Sequence, residues 1–410
     1  MSPLNSPAVP LVFAAFTFPL CAMLSALATA PILIITLLWW LTLQRHSFKA
    51  ATPLLRFPVS WGTMALILLA GGSYFWAIQP EEVSDALPRL VALFAGGTAG
   101  IYALARNPLS AEHAMQTGRA LLRGFGLALA LTFLAVIFDG GAAAWLDAIF
   151  SSSTPFKLHD LNRGAVLLSL LIWPVLYLLF AQGRILLATA CMAATLLGIA
   201  LLASATALVA TLCGMACFAF VIVAGIRISH IAIIIGLTAL FIALPVYVGA
   251  VLDVDTLMER FPTLPPSLEH RLLIWQFVLE RIGEHPLLGW GLKASNFIPG
   301  GQDPVLDRLV ALPLHPHNNM LQSQLELGIG GLCLYLAFLF YTLHAIRMKV
   351  QHLPRPQAAA FFSMFITWTT VGMAGYGLWQ SWWLCAAFLS VLLVQAILPA
   401  QGNGQAHQTA

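Results

Sequence analysis

The 410-residue chain is 60% hydrophobic and 9% charged, with a mean hydropathy of +0.87, whereas an ordinary soluble domain carries about 25% charged residues. Such a composition excludes a soluble globular enzyme and marks an integral membrane protein. The formal charge of +3 is unremarkable, and no basic cluster points to nucleic acid.

No charge precedes Arg45, so the first apolar stretch lacks the basic segment of a cleavable leader, is too long for one, and is expected to stay in the mature protein. A bilayer core takes about 20 apolar residues per helix. Divided at charges, prolines and glycines on that basis, the chain is predicted to be all-α with about twelve transmembrane helices. They fall at 8–24, 27–43, 58–78, 89–105, 122–139, 164–181, 185–203, 206–225, 231–250, 319–345, 358–375 and 381–399. The first two share the uncharged stretch 8–43, which a coarser division merges.

With the N-terminus inside, eleven of the nineteen Lys and Arg lie in inner loops, and fourteen of the sixteen acids lie outside. Short Arg-rich inner loops are what the positive-inside rule asks for, and the acids agree with it. Both termini are therefore expected in the cytoplasm. The expected organisation is nine spans over 1–250 with a moderate outer loop at 140–163, a large outer loop at 251–316, three spans over 317–400, and a polar tail at 401–410. All six cysteines fall in predicted spans, so neither a structural disulfide nor a cysteine metal or redox motif is expected.

Within the large loop, the stretch 267–292 (SLEHRLLIWQFVLERIGEHPLLGWGL) reads as a short amphipathic helix. Leu268, Leu272, Trp275, Leu279 and Ile282 recur on one face, and Gly283 with Pro286 ends it. It is expected to lie flat on the membrane with that face down. Arg271 stands four residues before Trp275, so its guanidinium can rest near the indole. An interfacial Arg bonds either a lipid phosphate or, in the sharper reading, a substrate pyrophosphate, for which its planar fork is suited. Lys293 and Arg308 read as surface charges, and Trp275 and Trp290 as interfacial anchors or sugar-stacking platforms.

The stretch 314–331 (LHPHNNMLQSQLELGIGG) then opens a span with polar groups. Pro316 disfavours helix at His315, so the helix should begin with His317 or Asn318 near its N-cap. Asn319, Gln322, Ser323 and Glu326 follow on one stripe, which must face protein or a water-filled cavity, because a carboxylate is costly in hydrocarbon. His315 and His317 head that stripe and are candidate general bases. His-x-His can also ligate zinc, but no third ligand follows at a recognisable spacing, and no metal is expected.

The combination His317, Asn318, Glu326 and Gly328 resembles the signature of the O-antigen ligase and polymerase superfamily of bacterial envelope glycosyltransferases. The stretches 270–292, 161–174 and 201–214 fit it as well, and the similarity covers roughly residues 160–345. The resemblance implies a GT-C-like membrane glycosyltransferase of the bacterial inner membrane, with its active site facing the periplasm and no cofactor or metal. In the ligases, O-antigen carried on undecaprenyl pyrophosphate is the donor and lipid A–core oligosaccharide the acceptor. Carried over by position, His317 corresponds to the essential His that activates the acceptor hydroxyl. Arg271 and Arg163 correspond to arginines that bind the pyrophosphate. Relatives often have Ser-Arg where this chain has SAT at 204–206, which weakens any role for Ser204 or Thr206 and shifts weight to the other arginines.

An O-antigen polymerase or a protein O-oligosaccharyltransferase are alternatives in the same superfamily. A lipid-linked-sugar transporter, the reading from another class, would place polar groups at mid-bilayer in repeated halves, and no such repeat is evident here.

Overall fold

The computed structural model describes residues 6, 8–43, 58–138, 161–248, 254–260, 266–306 and 309–398. Most of the expected 140–163 loop, the 401–410 tail and Arg308 lie outside the described residues. The helices are α1 (Val9–Leu20), α2 (Thr29–Leu43), α3 (Pro58–Gly72), α4 (Pro80–Arg106), α5 (Ala111–Ile137), α6 (Asn162–Ala181) and α7 (Ile185–Leu201). They continue with α8 (Ala205–Ala224), α9 (Ile226–Val246), α10 (Val254–Arg260), α11 (Pro266–Glu284), α12 (Asn319–Val350), α13 (Arg355–Ala374) and α14 (Ser381–Ile397). A small antiparallel ribbon, β1 (Pro304–Leu306) with β2 (Leu309–Val310), sits between α11 and α12 in sequence.

Each predicted span falls on a helix. Among the described residues α4, α5, α6, α8, α12, and α2 with its preceding turn, are long and apolar enough to cross a membrane, while α1, α7, α9 and α14 are shorter apolar helices. The chain is thus a helical, multi-pass membrane protein. Large apolar side chains such as Leu186 and Val223 stand exposed, as a lipid-facing surface requires.

Division at charges cut two helices short. α4 starts at Pro80 rather than near residue 89, carrying Pro88 inside it and Glu81 and Glu82 in its first turn, where acids favour a helix N-terminus. α5 starts at Ala111 rather than near residue 122, because the Ser110 hydroxyl accepts from the His113 N–H and caps it.

The chain forms two compact units. One comprises 1–57, 95–211 and 384–410, and the other 58–94 and 212–383. In the first, α6 is buried on nearly every side, with Leu167 and Trp173 fully enclosed. α1 crosses α5 at Gly124, where a Cβ would stand 2.2 Å from the Phe16 carbonyl oxygen. Close backbone approach at small residues is how helices pack in lipid, where tails offer no hydrophobic drive.

The second unit is built around α12, against which α3, α9, α11 and α13 pack. α11 is the helix predicted in the large loop, but its buried side differs from the expectation. Ile274, Val278 and Ile282 are enclosed, while Leu268 is 38% exposed. The helix packs on α12, and protein packing selects the narrow stripe at spacing four.

Candidate active site

α12 begins as expected. Asn318 is extended, and its side-chain oxygen accepts from the N–H groups of Met320 (3.0 Å) and Leu321 (3.2 Å). Asn319, Gln322, Ser323 and Glu326 are all buried, so the stripe faces protein.

Glu326 is fully enclosed and accepts four hydrogen bonds. They come from Ser295 Oγ (2.5 Å), Trp379 Nε1 (2.6 Å), the Lys293 N–H (2.7 Å) and Gln322 Nε2 (3.0 Å). A carboxylate offers about four acceptor positions, so none remains for substrate. A carboxylate at this place could either polarise the site from below or fix the helix. The bonds support the second, because they join the 293–295 segment, α12 and the α13–α14 connection at one point. Gln322 reinforces the joint by accepting from the Leu378 N–H (2.8 Å).

The downstream glycine of the motif has a distinct job. Gly328 has φ 62° and ψ −157°, which interrupts α12. The break frees the Leu325 and Glu326 carbonyls to accept from the Trp290 (2.9 Å) and Gly291 (2.8 Å) N–H groups, while the Ile329 N–H donates to Pro286 O (3.0 Å). A Cβ on Gly328 would stand 2.2 Å from Leu287 O. The 286–291 turn therefore docks backbone to backbone into the opened helix, and the released groups are paired again. Trp290 completes the dock through an indole bond to Arg281 O (2.9 Å), an anchor to protein where a membrane anchor or sugar platform was expected.

The two histidines are held differently. His317 Nδ1 lies 2.6 Å from Gly375 O. A carbonyl only accepts, so Nδ1 carries the proton and neutral His317 presents a bare Nε2. Burial holds its pKa below the ordinary value; the Gly375 bond opposes that, and the charges of Arg271 and His270 add to it. His317 is half-buried and has φ 53°, an uncommon conformation for a non-glycine residue. The Trp275 indole donates to Pro316 O (3.0 Å) beside it, so Trp275 fixes the histidine segment.

His315 is buried, and its Nδ1 accepts from the His317 N–H (3.1 Å). Burial first, and then His317, push its pKa down to about 3.

Arg271 is half-buried, with its pKa lowered by burial, and its charge acts on His317. Further along α11 the Arg281 guanidinium lies over the Phe277 ring (5.0 Å). Arg163 stands exposed in the first turn of α6, in the first unit. Lys293 is more than a surface charge, since its Nζ pairs with Glu82 (3.4 Å) as its N–H holds Glu326.

The sequence reading missed Ser295, Gly375, Trp379 and Gln380. The last three lie in the stretch 375–383 (GYGLWQSWW) between two spans, where three tryptophans flanking a glutamine are the signal that could have found them.

Comparison with known proteins places the chain in a family. A family model described as O-antigen ligase matches residues 190–336. A Rickettsia prowazekii protein provisionally named polysaccharide ligase is 31% identical over 300 residues, covering 71% of this chain and 70% of its own. The chain belongs to the O-antigen ligase family. Similarly named proteins of Rickettsia typhi (30% over 300 residues, 71% and 70% covered) and Rickettsia felis (29% over 335 residues, 80% and 77% covered) match as well. Family membership makes the chain a ligase-type, glycosyltransferase-like enzyme of the membrane with a polysaccharide donor and an acceptor. The family match contains Arg271, both histidines, Glu326 and Gly328 and ends before the 375–383 segment, which supplies Gly375 to His317 and one of the four partners of Glu326, Trp379.

Proposed function

We propose that this O-antigen ligase family member transfers O-antigen polysaccharide from undecaprenyl pyrophosphate to lipid A–core oligosaccharide at the periplasmic face of the inner membrane, in lipopolysaccharide synthesis. The acceptor hydroxyl attacks the anomeric carbon, its proton passes to His317 Nε2, and the bond to the pyrophosphate oxygen breaks as the lipid pyrophosphate leaves. Direct displacement inverts the anomeric centre. The donor already carries a good leaving group, so catalysis needs orientation, charge neutralisation and one proton acceptor.

The observation that carries this reading is the Nδ1 bond from His317 to Gly375 O at 2.6 Å. It holds the ring in the tautomer whose Nε2 accepts, and the lowered pKa keeps that nitrogen unprotonated near neutrality. His315 is the poorer base, because its Nδ1 is occupied by the His317 N–H. Arg271 is the pyrophosphate-binding residue in this proposal, a permanent cation beside the base. Arg163 stands as a second such residue on the resemblance alone.

The test is a reaction of the purified full chain in detergent with undecaprenyl-pyrophosphate-linked O-antigen and lipid A–core, EDTA present, read by gel mobility of the lipopolysaccharide. Polysaccharide addition that disappears with His317→Ala is expected. Chain growth from lipid-linked repeats alone, without addition to lipid A–core, would make the protein a polymerase.

A further inference from the structure

A cavity of about 270 Å³ opens beside His315 in the second unit. Ligand pockets run upward from about 300 Å³, so this one has room for a single sugar ring. Arg89 of α4 and Lys293 bring cations to it, and Ser295, His315, Trp379 and Gln380 line it further. His317 and Arg271 are not among its lining residues. The cavity adjoins the base through His315, whose ring centroid stands 4.4 Å from that of His317, while Arg271, assigned above to the leaving pyrophosphate, does not line it.

The wall of this cavity has one donor too many. The His317 N–H can only donate, so His315 Nδ1 accepts (3.1 Å) and neutral His315 carries its proton on Nε2. The Trp382 indole also can only donate, and it holds the Gln380 side-chain oxygen at 2.8 Å. That turns the Gln380 amide nitrogen toward His315 Nε2 at 3.3 Å. Two N–H groups then face each other. Rotating the Gln380 amide moves the conflict to Trp382, and protonating His315 adds a donor rather than an acceptor.

Two of the side-chain acceptors elsewhere in the lining are already engaged. Glu326 takes four donors and Gln322 Oε1 takes the Leu378 N–H. Lys293 is partly neutralised by Glu82, whereas Arg89 makes no hydrogen bond or ion pair among the described residues. An N–H pair without an acceptor, with two cations bordering the cavity, suits a ligand rich in acceptor oxygens.

We propose that this cavity is the subsite for a sugar unit of the acceptor bearing an acidic group, a carboxylate or a phosphate, which Arg89 and Lys293 neutralise while a ring or hydroxyl oxygen takes the surplus donor of the His315–Gln380 pair. The assignment to the acceptor rests on the function proposed above, and the preference for an acidic sugar rests on the cavity itself.

The purified full chain in detergent is titrated with glucuronate, glucose 6-phosphate and glucose, following tryptophan fluorescence, to which Trp379 in the wall contributes. At least one acidic sugar is expected to bind about tenfold more tightly than glucose, and Arg89→Gln, a change at an exposed side chain, is expected to erase that difference. Which acidic sugar prevails distinguishes carboxylate from phosphate. Equal binding of all three sugars, or an Arg89→Gln protein that discriminates as the wild type does, would overturn the subsite. Intact discrimination with no transfer to lipid A–core would instead strike the ligase reading and leave an acidic-sugar subsite standing.

Discussion

His315 and His317 face each other with ring centroids 4.4 Å apart, and the backbone N–H of the second donates to the ring of the first. The pair therefore divides its work, one ring holding the segment and the other holding a bare nitrogen toward chemistry. His317→Ala is expected to lower kcat by about 10²–10⁴, the usual contribution of a general base. His315→Ala should cost less, since it removes a support. Equal losses in the gel-mobility assay would sink the single-base mechanism.

The pH profile should carry the same signature. Burial lowers the pKa of His317, so the acid limb of kcat/KM should have its midpoint below the ordinary histidine value of about 6.5. Replacing Arg271 by Gln removes a nearby positive charge and should move that midpoint upward. Transfer rates measured across the acid range with limiting donor would show the shift, and an unmoved limb would count against electrostatic contact between the two.

Stability should fall in acid for a different residue. The pKa of His315 is pushed down to about 3, so the unfolded chain takes up a proton below about pH 6.5 while the folded one does not. Stability is then full above about 6.5 and declines as pH falls toward 3. Melting temperatures in detergent should drop over that window, and His315→Gln should flatten the decline.

Glu326 should behave as a joint. Glu326→Ala strands four donors, each costing about 1–3 kcal/mol when buried without a partner. Trp379→Phe removes one donor and should cost about 1–2 kcal/mol. Thermal unfolding in detergent should therefore rank Glu326→Ala well below Trp379→Phe, and comparable melting temperatures would argue against the joint.

Gly328→Ala tests the interrupted helix. The new methyl would meet Leu287 O at 2.2 Å on a backbone already at φ 62°. The expected result is a protein destabilised by more than about 2 kcal/mol, with the 286–291 turn released. Limited proteolysis should cut that turn faster in the variant than in the wild type, and unchanged cleavage would contradict the docking.

Much of this protein was written locally. Apolar runs dictated the helices, because a bilayer leaves the backbone no other way to pair its polar groups. Pro316 and Asn318 marked where α12 starts, and the spacing of Asn319, Gln322, Ser323 and Glu326 required a face away from lipid. These are short-range facts of steric preference, capping and periodicity. Only the tertiary structure decided which histidine presents a bare nitrogen, because the deciding oxygen belongs to Gly375, 58 residues away. Likewise the partners of Glu326 come from 31, 33 and 53 positions distant as well as from its own helix. The buried face of α11 and the break at Gly328 depend on each other's packing. Residue spacing along one helix reports what a side chain must avoid; the partner it finds is set by segments the chain brings back from far along its length.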